Sequence, residues 1–144
     1  MPVADPLDHY LDQVRQIRAL RAGTAETSFY PALAAVLNLA GAALRPRVVC
    51  LHHPSGAAGI PDFGLFEQAQ FRRGDSPEWS AAVAPERGVV EAKGASHPVE
   101  ALVRGEQVAR YRREYGLVLA TNLRQFRLVR ADGSVAEGFD LADD

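Results

Sequence analysis

In the first part of the chain, hydrophobic residues recur among polar residues with the spacing of a helix. Over residues 6–21 the apolar side chains recur about every 3.6 residues, which predicts an amphipathic helix with Asp5 as its N-cap and Gly23 at its end. Residues 26–43 are rich in Ala and Leu and are apolar nearly all round. That composition predicts a second helix, buried against a sheet.

Shorter apolar runs follow, and they predict strands at 47–52, 62–66, 88–94, 117–120, 125–129 and within 134–141. The polar stretch between Phe66 and Gly88 predicts an insertion loop. Residues 96–115 predict one more helix, which begins near Ser96 and Pro98. This order of helices and strands predicts an α/β fold with a central mixed β-sheet flanked by helices.

The length of 144 residues fits a single domain. We divide it into an N-terminal helix (1–23), a core (24–130) and a terminal hairpin with an acidic tail (131–144). No run approaches the roughly 18 apolar residues of a membrane span, and the start has no secretion signal, so we expect a cytoplasmic protein without membrane contact. The single cysteine, Cys50, has apolar neighbours and is predicted to lie in the core.

The candidate chemistry lies in residues 88–94. Side chains alternate along a strand, so Glu91 and Lys93 would share one face. Lys93 is the one lysine among the 16 basic residues. This is either chance or the sign of a position that needs a compact ammonium and not the planar fork of arginine. Asp62, which follows Pro61 at the start of another predicted strand, would lie beside them at one end of the sheet. Two carboxylates are typical oxygen ligands of Mg²⁺, and a neighbouring lysine can orient a water or neutralise charge on a phosphate.

These residues resemble the motifs of a nuclease superfamily. Asp62, followed after a spacer by Glu91 and Lys93, is similar to the PD-(D/E)xK signature. Gln107 and Tyr111 are similar to the QxxxY motif of RecB-like nucleases, and their spacing places them on one face of a helix.

The resemblance extends to about residues 24–128. Residues 24–33 and 120–122 are similar to the N-terminal nuclease domain of fused restriction-modification enzymes. The resemblance implies a restriction-endonuclease-like fold and a metal-dependent endonuclease that hydrolyses DNA phosphodiester bonds in phage defence.

The resemblance also implies roles for individual residues. Asp62 and Glu91 would hold Mg²⁺, with Mn²⁺ as a substitute, and Lys93 would position the attacking water. Gln107 would lie near that water or near the lysine, and Tyr111 near the phosphate. Glu26 is a secondary candidate for the metal. An equally good interpretation of Glu26 is a first-turn acid that the helix dipole favours.

The helix predicted over 96–115 carries the densest basic group of the chain: Arg104, Arg110, Arg112 and Arg113. These side chains are the best candidates for contacts with the DNA backbone. Salt bridges with glutamates of the same helix are the alternative for some of them.

The resemblance implies DNA as the main partner. Methyltransferase, specificity or helicase domains or subunits would lie outside this sequence, and cleavage of both strands would need a transient dimer. The formal net charge of -2 suits a domain that another part brings to DNA. Two alternatives stay open: a catalytically idle nucleic-acid-binding or scaffold module of the same fold, and a repair or recombination nuclease.

Overall fold

The computed structural model describes residues 5–19, 26–53, 59–74, 76–80 and 83–141, and only the backbone of residues 26 and 27. A six-stranded mixed sheet lies at its centre with helices packed against it, which confirms the predicted α/β class. Within these ranges, no helix has the length and apolar character needed to cross a membrane.

The helices are α1 (Pro6–Ala19), α2 (Tyr30–Ala42), α3 (Val99–Val103) and α4 (Glu106–Tyr115), and short 3₁₀ turns occupy Glu26–Phe29 and Gln68–Gln70. The predicted N-cap of α1 is confirmed, because the Leu7 N–H donates to Asp5 Oδ1 at 2.9 Å. The second helix begins later than predicted, since its first residues form the 3₁₀ turn. Pro31 then fits the first turn of α2, where its missing N–H removes no helical hydrogen bond.

The strands are β1 (Val48–His52), β2 (Phe63–Glu67), β3 (Gly88–Ala92), β4 (Val118–Thr121), β5 (Gln125–Val129) and β6 (Val135–Asp140). They lie side by side in chain order. All neighbouring pairs are antiparallel except β3 and β4, which are parallel. The parallel pair requires a crossover, and α3 and α4 provide it.

Hydrophobic clusters cover both faces of the sheet. The first cluster joins α1 and α2 to the sheet and includes Tyr10, Val14, Leu33, Cys50, Phe63, Val90 and Ala92. The second cluster joins α4 to the sheet and includes Phe66, Val89, Val108, Tyr111, Val118 and Ala120. Cys50 is a core residue as predicted, and burial raises the pKa of its thiol to about 12.

Gly88 allows β3 and β4 to begin side by side. Its φ is +108°, which disfavours any residue with a side chain, and a Cβ atom there would lie 2.4 Å from the Leu117 carbonyl oxygen. The close approach starts the parallel pairing that continues from Val89 opposite Val118. Gly88 therefore sets the register in which β3 carries Glu91 to the end of the sheet.

One predicted element is wrong. The single helix expected over 96–115 is two helices, because Arg104 ends α3 and Gly105 has extended backbone with φ −71° and ψ 160°. Glycine is a poor helix former, and here it turns the chain so that α4 begins at Glu106. As a result, Arg104 lies outside the helix that carries the other predicted phosphate-contacting arginines.

Candidate active site

Asp62 lies immediately before β2, where two donors hold its carboxylate. In the antiparallel register, Phe63 pairs with Val90, so the next step along both strands brings Asp62 level with Glu91. The Ala92 N–H donates to Asp62 Oδ2 at 2.8 Å, and the Tyr30 hydroxyl donates to Oδ1 at 2.5 Å. One donor comes from β3 and the other from α2, so the sheet and the helix together fix the carboxylate.

Glu91 and Lys93 form an ion pair at the end of β3. Lys93 Nζ lies 3.7 Å from Glu91 Oε1, and the lysine side chain is 34% exposed while that of Glu91 is 3% exposed. The lysine backbone N–H donates to the Thr121 carbonyl at 2.9 Å and extends the pairing with β4. The pair therefore combines a buried carboxylate with an ammonium that solvent and a ligand can reach.

Gln107 and Tyr111 lie on α4 and are hydrogen-bonded to each other. Gln107 Nε2 donates to Tyr111 Oη at 2.8 Å, and Tyr111 is completely buried. Tyr111 belongs to the second cluster together with Val89. Because side chains alternate along β3, Glu91 faces the same side of the sheet as Val89 and hence as α4.

An open cleft of about 610 Å³ lies along α4, lined by Gly59, Glu106, Gln107, Ala109, Arg110 and Arg113. Arg110 Nη2 donates to the Gly59 carbonyl at 3.0 Å, and its Cζ lies 5.2 Å from the centre of the Tyr111 ring. These contacts connect α4 to the segment that leads into Asp62. Arg113 is exposed at the same cleft.

The remaining predicted site residues lie elsewhere or cannot be placed. Arg112 is half-buried, and its Nη1 donates to the Ala131 carbonyl at 3.1 Å, at the turn between β5 and β6. Arg104 is exposed at the end of α3. The Glu26 side chain is outside the described part of the chain. The structure therefore groups Asp62, Glu91 and Lys93 at one end of the sheet, with Arg110 and Arg113 at the neighbouring cleft.

Two residues of this region were not predicted as site residues. Tyr30 contacts Asp62, and Asn122 is a buried amide whose Nδ2 donates to the His97 carbonyl at 2.8 Å. Asn122 Oδ1 also accepts the Gln125 N–H at 2.8 Å, so the residue joins the loop after Lys93 to the turn after β4. A Thr-Asn pair after an apolar strand is a turn signal that could have identified Asn122.

The oxygen donors of this site fit a hard divalent cation such as Mg²⁺. The site holds two carboxylates beside one ammonium, and carboxylate oxygens are ligands that Mg²⁺ prefers. Among the described residues, no three His, Cys, Asp or Glu side chains converge on one point. Water and backbone carbonyls would therefore complete the shell, as is usual for Mg²⁺.

Among solved structures, the chain is similar to the protein in a cryo-EM structure of a DrdV–DNA complex, with a TM-score of 0.62 and 17% sequence identity. The similarity covers 96% of this chain and 12% of that chain. The fold is restriction-endonuclease-like. No protein-family model and no curated protein matches the sequence. At this level of identity the similarity establishes the fold, and the chemistry depends on the residues of the site itself.

Proposed function

We propose that this chain is the Mg²⁺-dependent DNA endonuclease domain of a restriction-modification system of phage defence. The observation that carries the proposal is the grouping of Asp62, Glu91 and Lys93 at the ends of two paired strands. The similar DrdV protein is bound to DNA, which supports DNA as the partner. This chain covers 12% of that protein, which supports a domain that works with further domains or subunits.

In this proposal, Asp62 and Glu91 hold Mg²⁺, with Mn²⁺ as a substitute and the Ala92 carbonyl as a further ligand. A bound Mg²⁺ lowers the pKa of water and polarises a phosphoryl oxygen. The Lys93 ammonium donates a hydrogen bond to the attacking water or to a phosphate oxygen, and its positive charge stabilises the charge that develops there. Its exposure at the end of β3 allows this contact.

Residues of α4 would bind the substrate in the same proposal. Gln107 lines the cleft on the side of the sheet that Glu91 faces, and its bond to the hydroxyl of the buried Tyr111 fixes the orientation of the Gln107 amide. Arg113 at the cleft supplies positive charge for a DNA phosphate. The mild net negative charge of the whole chain makes such local arginines important for the approach of DNA.

The function is tested by incubating supercoiled and linear plasmid with the protein in Mg²⁺, Mn²⁺ or EDTA. We expect nicking or linearisation of the plasmid with either metal and none with EDTA. Cleavage that continues at the same rate in EDTA would exclude the metal-dependent mechanism. A protein that binds plasmid but does not cut it in either metal would instead be an idle DNA-binding module.

The two cleft arginines are predicted to have separable effects. Arg113→Ala should weaken DNA binding and lower the slope of log affinity against log salt by about one, as for the loss of one phosphate contact. Arg110→Lys keeps the charge but loses the planar group that bonds Gly59 and stacks on Tyr111, so it should slow cleavage at an unchanged salt slope. Fluorescence anisotropy over a salt series measures the slope, and plasmid nicking measures the rate.

Arg130→Ala is the matched control for these variants, because this exposed arginine donates to Ser134 Oγ at the turn between β5 and β6. For Arg130→Ala, the slope of log affinity against log salt should equal that of the wild type. If the slope of log affinity against log salt is the same for Arg113→Ala and Arg130→Ala, Arg113 does not contact the DNA.

A further inference from the structure

We infer that Tyr30 is a positioning residue for Asp62: its hydroxyl holds the carboxylate in the orientation that binds the divalent cation. The inference rests on the proposed function, which makes Asp62 a metal ligand. Tyr30 packs against the first cluster, whereas α4 packs on the second, and it reaches Asp62 from the first residue of α2.

The packing of its ring fixes the position of the Tyr30 hydroxyl. The ring centre lies 5.2 Å from that of Phe63 and 5.5 Å from that of His52. These two residues are directly opposite each other in the β1–β2 pair. Tyr30 therefore packs on two paired strands, and its hydroxyl extends past Phe63 to the residue before it.

The hydrogen bond between Tyr30 and Asp62 is short. An oxygen–oxygen distance of 2.5 Å lies at the lower end of the range for a hydroxyl that donates to a charged carboxylate, about 2.5–2.7 Å. The Ala92 N–H holds the other oxygen of the same carboxylate at 2.8 Å. With one donor on each oxygen, rotation of the carboxylate about its bond to Cβ is blocked.

This arrangement still allows the carboxylate to bind a cation. Each carboxylate oxygen has two lone-pair directions, and each protein donor uses one of them. The remaining lone pairs of Asp62 are then fixed in orientation before a cation binds. Binding therefore costs less conformational entropy of the side chain. Hydrogen-bonding partners of metal ligands act in this way in many proteins, and their loss typically lowers metal affinity by about 10- to 100-fold.

The test compares the wild type with Tyr30→Phe, which retains the ring and its contacts with Phe63 and His52. Two quantities are measured on the full chain: the affinity for Mg²⁺ by calorimetry, and the hydrogen exchange of the Ala92 amide by NMR without metal. We expect about tenfold weaker Mg²⁺ binding in the variant. We also expect faster exchange at Ala92 with unchanged exchange at Val89 and Val90, because a loosened Asp62 protects Ala92 less.

Tyr115→Phe is the matched control. Tyr115 ends α4 and packs against the second cluster, near the start of β4, whereas Asp62 bonds Ala92 at the other end of β3. Loss of its hydroxyl should leave both Mg²⁺ affinity and Ala92 exchange at wild-type values. Equal thermal midpoints of the three proteins would show that no variant is partly unfolded.

Unchanged Ala92 exchange in Tyr30→Phe would overturn the inference, and so would unchanged Mg²⁺ affinity. A wild type that does not bind Mg²⁺ would instead refute the proposed metal site. The Ala92 measurement would then still decide whether Tyr30 positions Asp62, since it requires no metal. The failure of the inference and that of the proposed function are therefore distinguishable.

Discussion

Lys93→Ala should lower the rate of DNA cleavage by a factor of about 100 to 1,000, the usual effect of removing one group that stabilises charge in a transition state. The fold should be retained, because the backbone N–H of residue 93 bonds Thr121 whatever the side chain. The lost ion pair with Glu91 involves a lysine that is 34% exposed, and such pairs contribute little to stability. Single-turnover cleavage of plasmid measures the rate, and circular dichroism measures folding.

The variant Lys93→Arg tests whether a positive charge at position 93 is sufficient or whether the shape of the charged group also matters. Arginine retains the positive charge, but its planar fork is wider than an ammonium. If the compact ammonium matters, as the single lysine of the chain indicates, arginine should recover less than about a tenth of the lost rate. A fully active Lys93→Ala protein would show that Lys93 has no role in cleavage. A fully active Lys93→Arg protein would show that charge alone is sufficient.

Glu91→Gln should abolish the stabilisation of the protein by Mg²⁺. A ligand at 100 times its dissociation constant stabilises the folded state by about 2.7 kcal/mol, which raises the melting temperature of a domain of this size by about 5–10 °C. Glutamine replaces the buried carboxylate by a neutral amide, so the proposed cation would lose one of its two acidic ligands. Thermal melts with and without Mg²⁺ measure the difference.

The metal-free melting temperature is informative as well. Removal of Glu91 leaves Lys93, which solvent can reach, so no buried charge remains without compensation and Glu91→Gln should melt close to the wild type without metal. Glu137→Gln is the matched control, because Glu137 is an exposed acid on β6. An equal rise in melting temperature with Mg²⁺ in Glu91→Gln and wild type would exclude Glu91 as a metal ligand.

The sequence predicted the sheet and the grouping of Asp62, Glu91 and Lys93. Strand alternation is a local property with a fixed period, so placing Glu91 and Lys93 on one face needs no knowledge of the fold. The antiparallel pairing that brings Asp62 level with Glu91 follows from the same apolar faces, since Phe63 and Val90 both pack into the first cluster. The confirmed fold class depends on these patterns and on the order of elements.

The errors arose where tertiary contacts or a single glycine determine the structure. Gly105 was a visible signal for a break, yet the helical pattern on both sides of it predicted one continuous helix. Arg112 follows the buried Val108 by four positions, so it lies on the inner flank of α4 and bonds Ala131 across the chain. Tyr30 lies in the segment 24–33 that carries the resemblance, but no local pattern predicts its contact with Asp62, because the contact joins positions 32 residues apart.

The alternation of β3 between the two hydrophobic clusters links the halves of the domain. Val90 and Ala92 pack under α1 and α2, while Val89 packs under α4. If α1 and α2 on one face, or α4 on the other, lost their packing, β3 would be exposed, and the helices on its opposite face pack on the same strand. The domain should therefore unfold as a single cooperative unit. Glu91 and the Ala92 amide that holds Asp62 lie on this same strand, so the geometry of the candidate site should persist until global unfolding.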